Sequence, residues 1–458
     1  MVLKILSPAL TLKSAAVALR TYLCADKPNA AEDFCVKIEL DNFDLAGVFA
    51  NVKGLARSYF KSRDSETEIC GLGIAAKINF VDLKYKTSSL VDEQCYVGAS
   101  RFDQQGSVAK EWAGFGQHYY ILPLILLIKR ATHCSLLLNF RKDGHLSLEH
   151  FLDQAISLLS ALENSAGIEE QAQTLSYSEE MPKRTEYFSM IEKALGQISS
   201  SPLCQKVVLG RRNTLHFGDR EDAYTLFARV AKKTESAFLF WLDDGRGSSF
   251  FGASPELLYQ RKHAYFATES LAGTRARGQD RLQDEYLRND LCQSSKDRSE
   301  HALVSQHIES SLRVLNASLL RQSGLLVMAL SYVQHLVKRY EASIDPMLSD
   351  EAILQALHPT PAVSGLSRDW ALDFIRQHEG FDRGFYAGPI GYAQRHKAEF
   401  AVAIRSALMH EKSLHIYAAN GIVPGSRPEQ EWEELNNKQS RILSIFEGGL
   451  DFFNIRNK

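Results

Sequence analysis

The order of apolar and polar residues divides the chain into strands, helices and breaks that belong to a mixed α and β protein. The opening segment, MVLKILSPALTLKSAAVALR, reads as a strand followed by a helix, because Pro8, Lys13 and Arg20 interrupt the continuous apolar run that a secretory leader needs. FCVKIELDNF, EICGLGIAAKINF and CSLLLNF are strand-like, and the charged stretch between them, Tyr59 to Glu68, predicts a solvated loop. The most apolar run, Tyr119 to Ile128, is too short to span a membrane and contains Pro123, which predicts two strands meeting at a bend. A helical period over Leu148 to Leu162 follows. From Asn164 to Glu186 the periodicity is lost, and this sets the internal boundary between residues 1–185 and 186–452.

The second half repeats the alternation more strongly. After a helix over Tyr187 to Ile198, QKVVLGRRNTLHF places Lys206, Val208 and Gly210 on one face of a strand and Val207 and Leu209 on the other. FLFWLDDGRGSSFFGASPELLYQ is two apolar runs joined by turn formers, hence a hairpin, and AYFATESLAGT is a further strand ending in small residues. Ser294 predicts a helix N-cap, with Asp297 and Glu300 three apart on one face. Near the end, AEFAVAIRSALMHEKSLHIYAANGIVPG predicts a hairpin whose first strand turns Glu399, Ala401, Ala403, Arg405 and Ala407 to one side. In the next helix Ser426 is the expected N-cap, Pro428 lies in the first turn, and Glu431, Glu434 and Lys438 form one stripe.

Composition narrows the class. The 458 residues carry a formal charge of −2, too weak a field to draw the chain to a polyanion or an acidic membrane, so neither nucleic acid nor membrane is an expected partner. The seven cysteines are scattered without C-x-x-C spacing, which argues against a disulfide framework or a zinc site and for a reducing, cytoplasmic setting.

Five features could carry chemistry, each with an ordinary alternative. Lys206 shares its face with an apolar and a small residue, so it either snorkels to water or is a desolvated amine able to take a proton. Pro255 fixes the backbone entering Glu256, which suits a proton donor and equally a surface Ser-Pro-Glu turn. The run Ala272, Gly273, Thr274 permits close approach to the backbone, or marks a bulge at Gly273. The carboxylate pairs Asp297 and Glu300, and Glu431 and Glu434, are either solvated helix faces or, together, the hard oxygen ligands that Mg²⁺ prefers. Arg405 among alanines is a carboxylate clamp or a solvent-facing arginine.

Ten motifs fall in a characteristic order: KVVLGRR, GASPELL, SLAGT, KDRSEH, QHL, HPTPAVSG, FDRGFYAGPIGY, AEFAVAIRSA, ANGIVPGS and EWEELNNK. In this the chain resembles the chorismate-utilising enzymes, and among them the menaquinone-type isochorismate synthases; the match is strong over about residues 186–446 and holds only in outline before that. The resemblance implies an α+β fold like that of anthranilate synthase component I, with two large, mostly antiparallel sheets packed face to face and helices outside, in α/β/β/α layers. Residues 1–185 would contribute to that fold and 186–452 would form its chorismate-binding catalytic part. It implies an isomerase in which Lys206 activates water for attack at C2 of chorismate and Glu256 protonates the departing C4 hydroxyl. Mg²⁺ would be held by Glu300 and Glu434, with Asp297 and Glu431 acting through water. Arg405 and the Gly273 amide would hold carboxylates beside Ala272 and Thr274, and His335, Ala419, Asn420, Gly421 and Lys438 would complete the pocket. Asn420 departs from the small-residue run usual before G-I-V in this family. Relatives that add ammonia generally lack the lysine of KVVL, and those making aminodeoxychorismate carry lysine where Ala272 stands, so no amidotransferase subunit is expected, and the enzyme would act as a monomer or homodimer. Salicylate synthases and siderophore-branch isochorismate synthases share these residues. An anthranilate or aminodeoxychorismate synthase component and a catalytically inactive chorismate-binding scaffold are the remaining readings.

Overall fold

Alternating strands too numerous for one layer sort into two sheets, and the chain crosses between them at places where the alternation breaks. The computed structural model describes residues 2–25, 32–41, 48–49, 52, 54–64, 67–91, 93–131, 133–144, 146–163, 175–218, 223–330 and 333–446. A 13-stranded sheet runs from Val2–Leu10 at one edge to Leu175–Met181 at the other, and a 10-stranded sheet from Ser318–Gln322 to Ala76–Ile78. Pairing is antiparallel except between Val2–Leu10 and Phe34–Leu40, among the described residues. Strands from the first half of the chain lie in both sheets beside strands from the second.

The sheets meet through aromatic side chains. On Arg57–Lys61, Phe60 reaches Tyr392 of the other sheet with ring centroids 5.6 Å apart, and its neighbour Tyr59 points the opposite way, against Phe227 of helix Ala223–Lys233 at 5.3 Å. Helix Ser295–Val314 packs on strand Tyr265–Ala276, and helix Pro428–Phe446 on strand Ser413–Ile422. Among the described residues no helix is long and apolar enough to cross a membrane.

Three sheet-to-sheet crossings matter for the site. At Pro123 the chain leaves His118–Leu122 in the smaller sheet for Ile125–Arg130 in the larger, the bend expected there. At Pro255 and Glu256 it passes from Ser248–Ser254 in the larger sheet to Leu257–Lys262 in the smaller. The third crossing corrects the sequence reading. The stretch from Glu399 to Leu408 is not one strand: Lys397–Val402 belongs to the smaller sheet, Ser406–His410 to the larger, and Arg405 between them has φ +52°. The alternation fails at Ile404 because the chain changes layers there, so Glu399 and Arg405 do not share a face.

Other expectations also change. Tyr59 to Glu68 is not a solvated loop, because Arg57–Lys61 and Thr67–Leu72 pair as strands and the turn residue Ser62 is buried against the Glu399 carboxylate. The polar segment at the internal boundary contains a strand, Leu175–Met181, paired with Lys206–Phe217; its earlier part, 164–174, lies outside the described residues, as does the boundary at 452. Ser426 does not cap the last helix. Its hydroxyl accepts the Val423 N–H at 3.3 Å, and the helix starts at Pro428, whose missing N–H costs nothing in a first turn.

One buried ion pair holds the Lys206 strand in place. Arg383 and Glu379, with side chains 3% and 1% exposed, form an i, i+4 pair. Arg383 donates to the carbonyls of Val208 and Val363 at 2.8 and 2.9 Å, while Glu379 accepts the Gly210 N–H at 2.6 Å. Removing one partner leaves a buried charge and a buried N–H unmatched, so Glu379→Ala is expected to lower unfolding stability by about 3–5 kcal/mol. Urea denaturation checks this, and a loss below about 1 kcal/mol would mean that the pair is replaceable by solvent.

Candidate active site

The crossings at Glu256 and Arg405 open onto a cavity of about 710 Å³ at the junction of the two sheets. Its lining includes Glu256, Ala272, Gly273, Thr274, Asp297, Glu300, His335, Arg405, Ala419, Gly421, Glu431, Glu434 and Lys438. Lys206 stands just behind this lining with no exposed surface, its Nζ donating to Glu300 Oε1 at 2.9 Å. A Cβ added at Gly421 would lie 2.8 Å from both Glu300 Oε1 and Lys206 Cε, so the glycine leaves room for that pair.

Glu256 is buried, and its backbone is tethered at both ends: its N–H donates to Ser254 Oγ at 3.1 Å and its carbonyl accepts the Val402 N–H at 3.1 Å. Loss of hydration raises its carboxyl to about 8; Lys206 and Arg405 pull the value down and Glu269 pushes it up. The group is therefore a carboxylic acid at neutral pH, able to give a proton.

Gly273 sits at a bulge in Tyr265–Ala276, with φ +75°, so Ala272 opposes Leu336 and Thr274 opposes His335. The bulge leaves the Gly273 carbonyl and the Thr274 hydroxyl to meet His335 Nδ1 at 3.2 and 3.0 Å. His335 Nε2 lies 2.9 Å from Arg405 Nη2. Arginine can only donate, so Nε2 accepts and Nδ1 carries the hydrogen, which sets the tautomer of His335. The left-handed backbone at Arg405 thus aims its guanidinium across the cavity at the opposite sheet.

Ser294 caps its helix as expected, accepting the Asp297 N–H at 3.2 Å. Both carboxylate pairs face the cavity, and each of the four groups is matched by a cation: Glu300 with Lys206, Asp297 with Arg275 at 2.9 Å, Glu431 with Lys296 at 3.1 Å, and Glu434 with Lys438 at 2.8 Å. Lys438 holds the Glu434 carboxyl below the usual carboxylate range, although Glu434 is itself 46% exposed. Among the described residues no three His, Cys, Asp or Glu side chains converge as a metal-binding group. The donors available are nonetheless all oxygen, in two helical pairs on one cavity, and that set suits a hard divalent cation once their lysine and arginine partners yield.

Asn420 does not line the cavity. Its amide donates to the Glu431 carbonyl at 2.6 Å and accepts from Lys438 Nζ at 2.7 Å, so it ties the strand to the last helix rather than facing a substrate. Lys438 also donates to the Ala419 carbonyl at 2.9 Å. Sequence reasoning missed the cations Arg275 and Lys296, and the pair Arg63 and Glu269 behind Glu256. The first two had a signal: each lies beside a singled-out residue, Thr274 or Asp297.

The sequence profile described as "Chorismate binding enzyme" matches residues 19–447. The chloroplastic isochorismate synthase of Catharanthus roseus is 33% identical over 358 residues, which is 76% of this chain and 61% of that protein. The chain thus spans about three-fifths of that plant relative's length. Isochorismate synthase MenF of Haemophilus influenzae is 28% identical over 413 residues, covering 90% of this chain and 91% of that one. The solved structure of MenF, the menaquinone-specific isochorismate synthase from Escherichia coli, superposes with a TM-score of 0.85 at 28% identity, covering 95% of this chain and 100% of that chain.

Proposed function

The chain belongs to the chorismate-binding enzymes, and from that membership we propose that it is an isochorismate synthase, converting chorismate to isochorismate for menaquinone synthesis. The observation that carries this reading is that a lysine, Lys206, and a carboxyl, Glu256, are both buried at one cavity, where loss of hydration favours the protonated form of the acid. Lys206 removes a proton from water as its oxygen bonds to C2 of the ring. Both ring double bonds shift, C1=C2 to C1=C6 and C5=C6 to C4=C5, the C4–O bond breaks, and Glu256 gives its proton to the leaving hydroxyl, which departs as water. Base and acid on separate walls suit an allylic displacement in which attack and departure overlap.

Arg405, oriented by His335, and the Gly273 amide at its bulge offer donors to the substrate carboxylates. Ala272 leaves the space where ammonia-using relatives of the aminodeoxychorismate type carry a lysine. Glu300 and Glu434 would hold Mg²⁺, with Asp297 and Glu431 through water. When bound, the ion would neutralise and orient a substrate carboxylate. The reading includes a cytoplasmic enzyme, monomer or homodimer, working without an amidotransferase subunit.

Incubation with chorismate and Mg²⁺, followed by product separation, tests the assignment. Isochorismate is expected, unchanged by added ammonium; salicylate would place the chain with enzymes that go on to eliminate pyruvate, and anthranilate would place it with the ammonia users. The metal has its own test. Glu434→Gln is expected to weaken Mg²⁺ binding, measured by calorimetry, by at least ~10-fold, with thermal stability nearly unchanged because one helix-surface charge contributes little. Full activity of that variant in chelator would remove the metal from the site.

A further inference from the structure

The turn between Arg57–Lys61 and Thr67–Leu72 sends Arg63 into the wall behind Glu256. Arg63 Nη1 donates to the Pro255 carbonyl at 2.7 Å and to Glu269 Oε2 at 2.8 Å, and Nη2 donates to Glu269 Oε1 at 2.7 Å. Glu269, with a side chain only 4% exposed, takes a further bond at 3.2 Å from Arg339, its cross-strand neighbour. Proline has no N–H, so Pro255 itself can be fixed by hydrogen bonding only through its carbonyl, the group that Arg63 holds. With the Ser254 and Val402 contacts already described, this makes three tethers on one turn of backbone.

We propose that Arg63 is a positioning residue for the proposed proton donor: it fixes the Pro255 peptide, and so the aim of Glu256, and it balances the charge of Glu269 beside the Glu256 carboxyl. This rests on the reading of Glu256 as the acid of the isomerisation. Among the described residues, the charged and titratable groups that act on Glu256 are Lys206, Arg405, Glu269 and Tyr386. Of these, Glu269 is the one whose field Arg63 controls.

The signs follow from charge alone. Arg63→Gln leaves Glu269 less balanced, which makes proton loss from Glu256 harder and moves the alkaline limb of kcat/KM to higher pH. Glu269→Gln leaves the arginines unmatched and moves the limb to lower pH. Arg63→Lys, which keeps the charge but not the fork, holds the limb near its native position while lowering kcat.

The experiment measures the pH profile of isochorismate formation and melting temperature for wild type, Arg63→Gln, Arg63→Lys and Glu269→Gln. It also records the infrared band of the protonated Glu256 carboxyl, isolated by subtracting the Glu256→Gln spectrum. Expected are opposite displacements of the limb and of the infrared titration, each at least about 0.5 pH unit, and a loss in kcat of about ten-fold or more for Arg63→Gln. A structural role alone would lower the melting temperature and leave both titrations in place. Unmoved titrations in folded variants overturn the proposal. If wild type makes no isochorismate, the functional reading falls with its acid, and the infrared titration still shows whether Arg63 controls the Glu256 carboxyl.

Discussion

Replacing Lys206 by alanine is expected to lower kcat/KM for chorismate by about 10²–10⁴-fold, with chorismate binding near normal. The base acts as the C2–O bond forms, so its loss falls on the transition state more than on the ground state. Lys206 is also a counter-ion, since its Nζ donates to Glu300 Oε1 at 2.9 Å. Lys206→Arg separates the two roles. Arginine keeps a cation for Glu300 but does not release a proton in a protein, so it restores the ion pair without restoring a base. Steady-state kinetics together with direct chorismate binding check the result. Isochorismate formation unchanged in Lys206→Ala would show that another group activates the water, and full recovery in Lys206→Arg would make the lysine a counter-ion only.

Much of this site could be read from the chain order, for reasons that the structure makes plain. Strand alternation placed Lys206 correctly because it lies within an unbroken strand, Lys206–Phe217. Helical spacing placed the four carboxylates correctly because both helices are regular and the Ser294 cap forms. Proline marked the crossings at Pro123 and at Pro255 because a residue without an N–H is excluded from a continuing central ladder.

The crossing at Arg405 had no such marker. Ala403, Ile404 and Arg405 look like strand residues, and only the pairing partners on either side show that the layers change. Ion pairing was the hardest to read. The charged run from Tyr59 to Glu68 looks solvated because its partners are distant in sequence: Arg63 meets Pro255 192 residues away and Glu269 206 residues away. The same holds for Asn420. A polar residue in a small-residue run suggests contact with a substrate, but the last helix approaches from the other side and takes up both ends of its amide.

Glu256→Gln is expected to suppress the forward and return reactions in the same proportion, by about 10²–10⁴-fold in each. Chorismate and isochorismate are isomers, so no proton is gained or lost overall and their equilibrium constant does not depend on pH. In the forward direction Glu256 holds the proton and Lys206 is free to accept one; in the return direction Lys206 holds the proton and Glu256 accepts. These two forms of the enzyme contain the same number of protons and differ only in which group carries one of them. The pH profiles of kcat/KM for the two directions must therefore coincide, and their limbs are those of the coupled pair, so a change in the proton affinity of Glu256 moves them in both directions alike. Hydration loss, which raises the Glu256 carboxyl to about 8, is what makes such an exchange feasible near neutral pH, since an ordinary carboxyl would already have surrendered its proton. Glutamine preserves shape and one hydrogen-bonding face but neither gives nor takes the proton. Initial rates from both substrates, across pH and with chorismate binding measured separately, provide the test. A Glu256→Gln enzyme that keeps most of its forward rate would place Glu256 among residues that shape the turn and take it out of the chemistry.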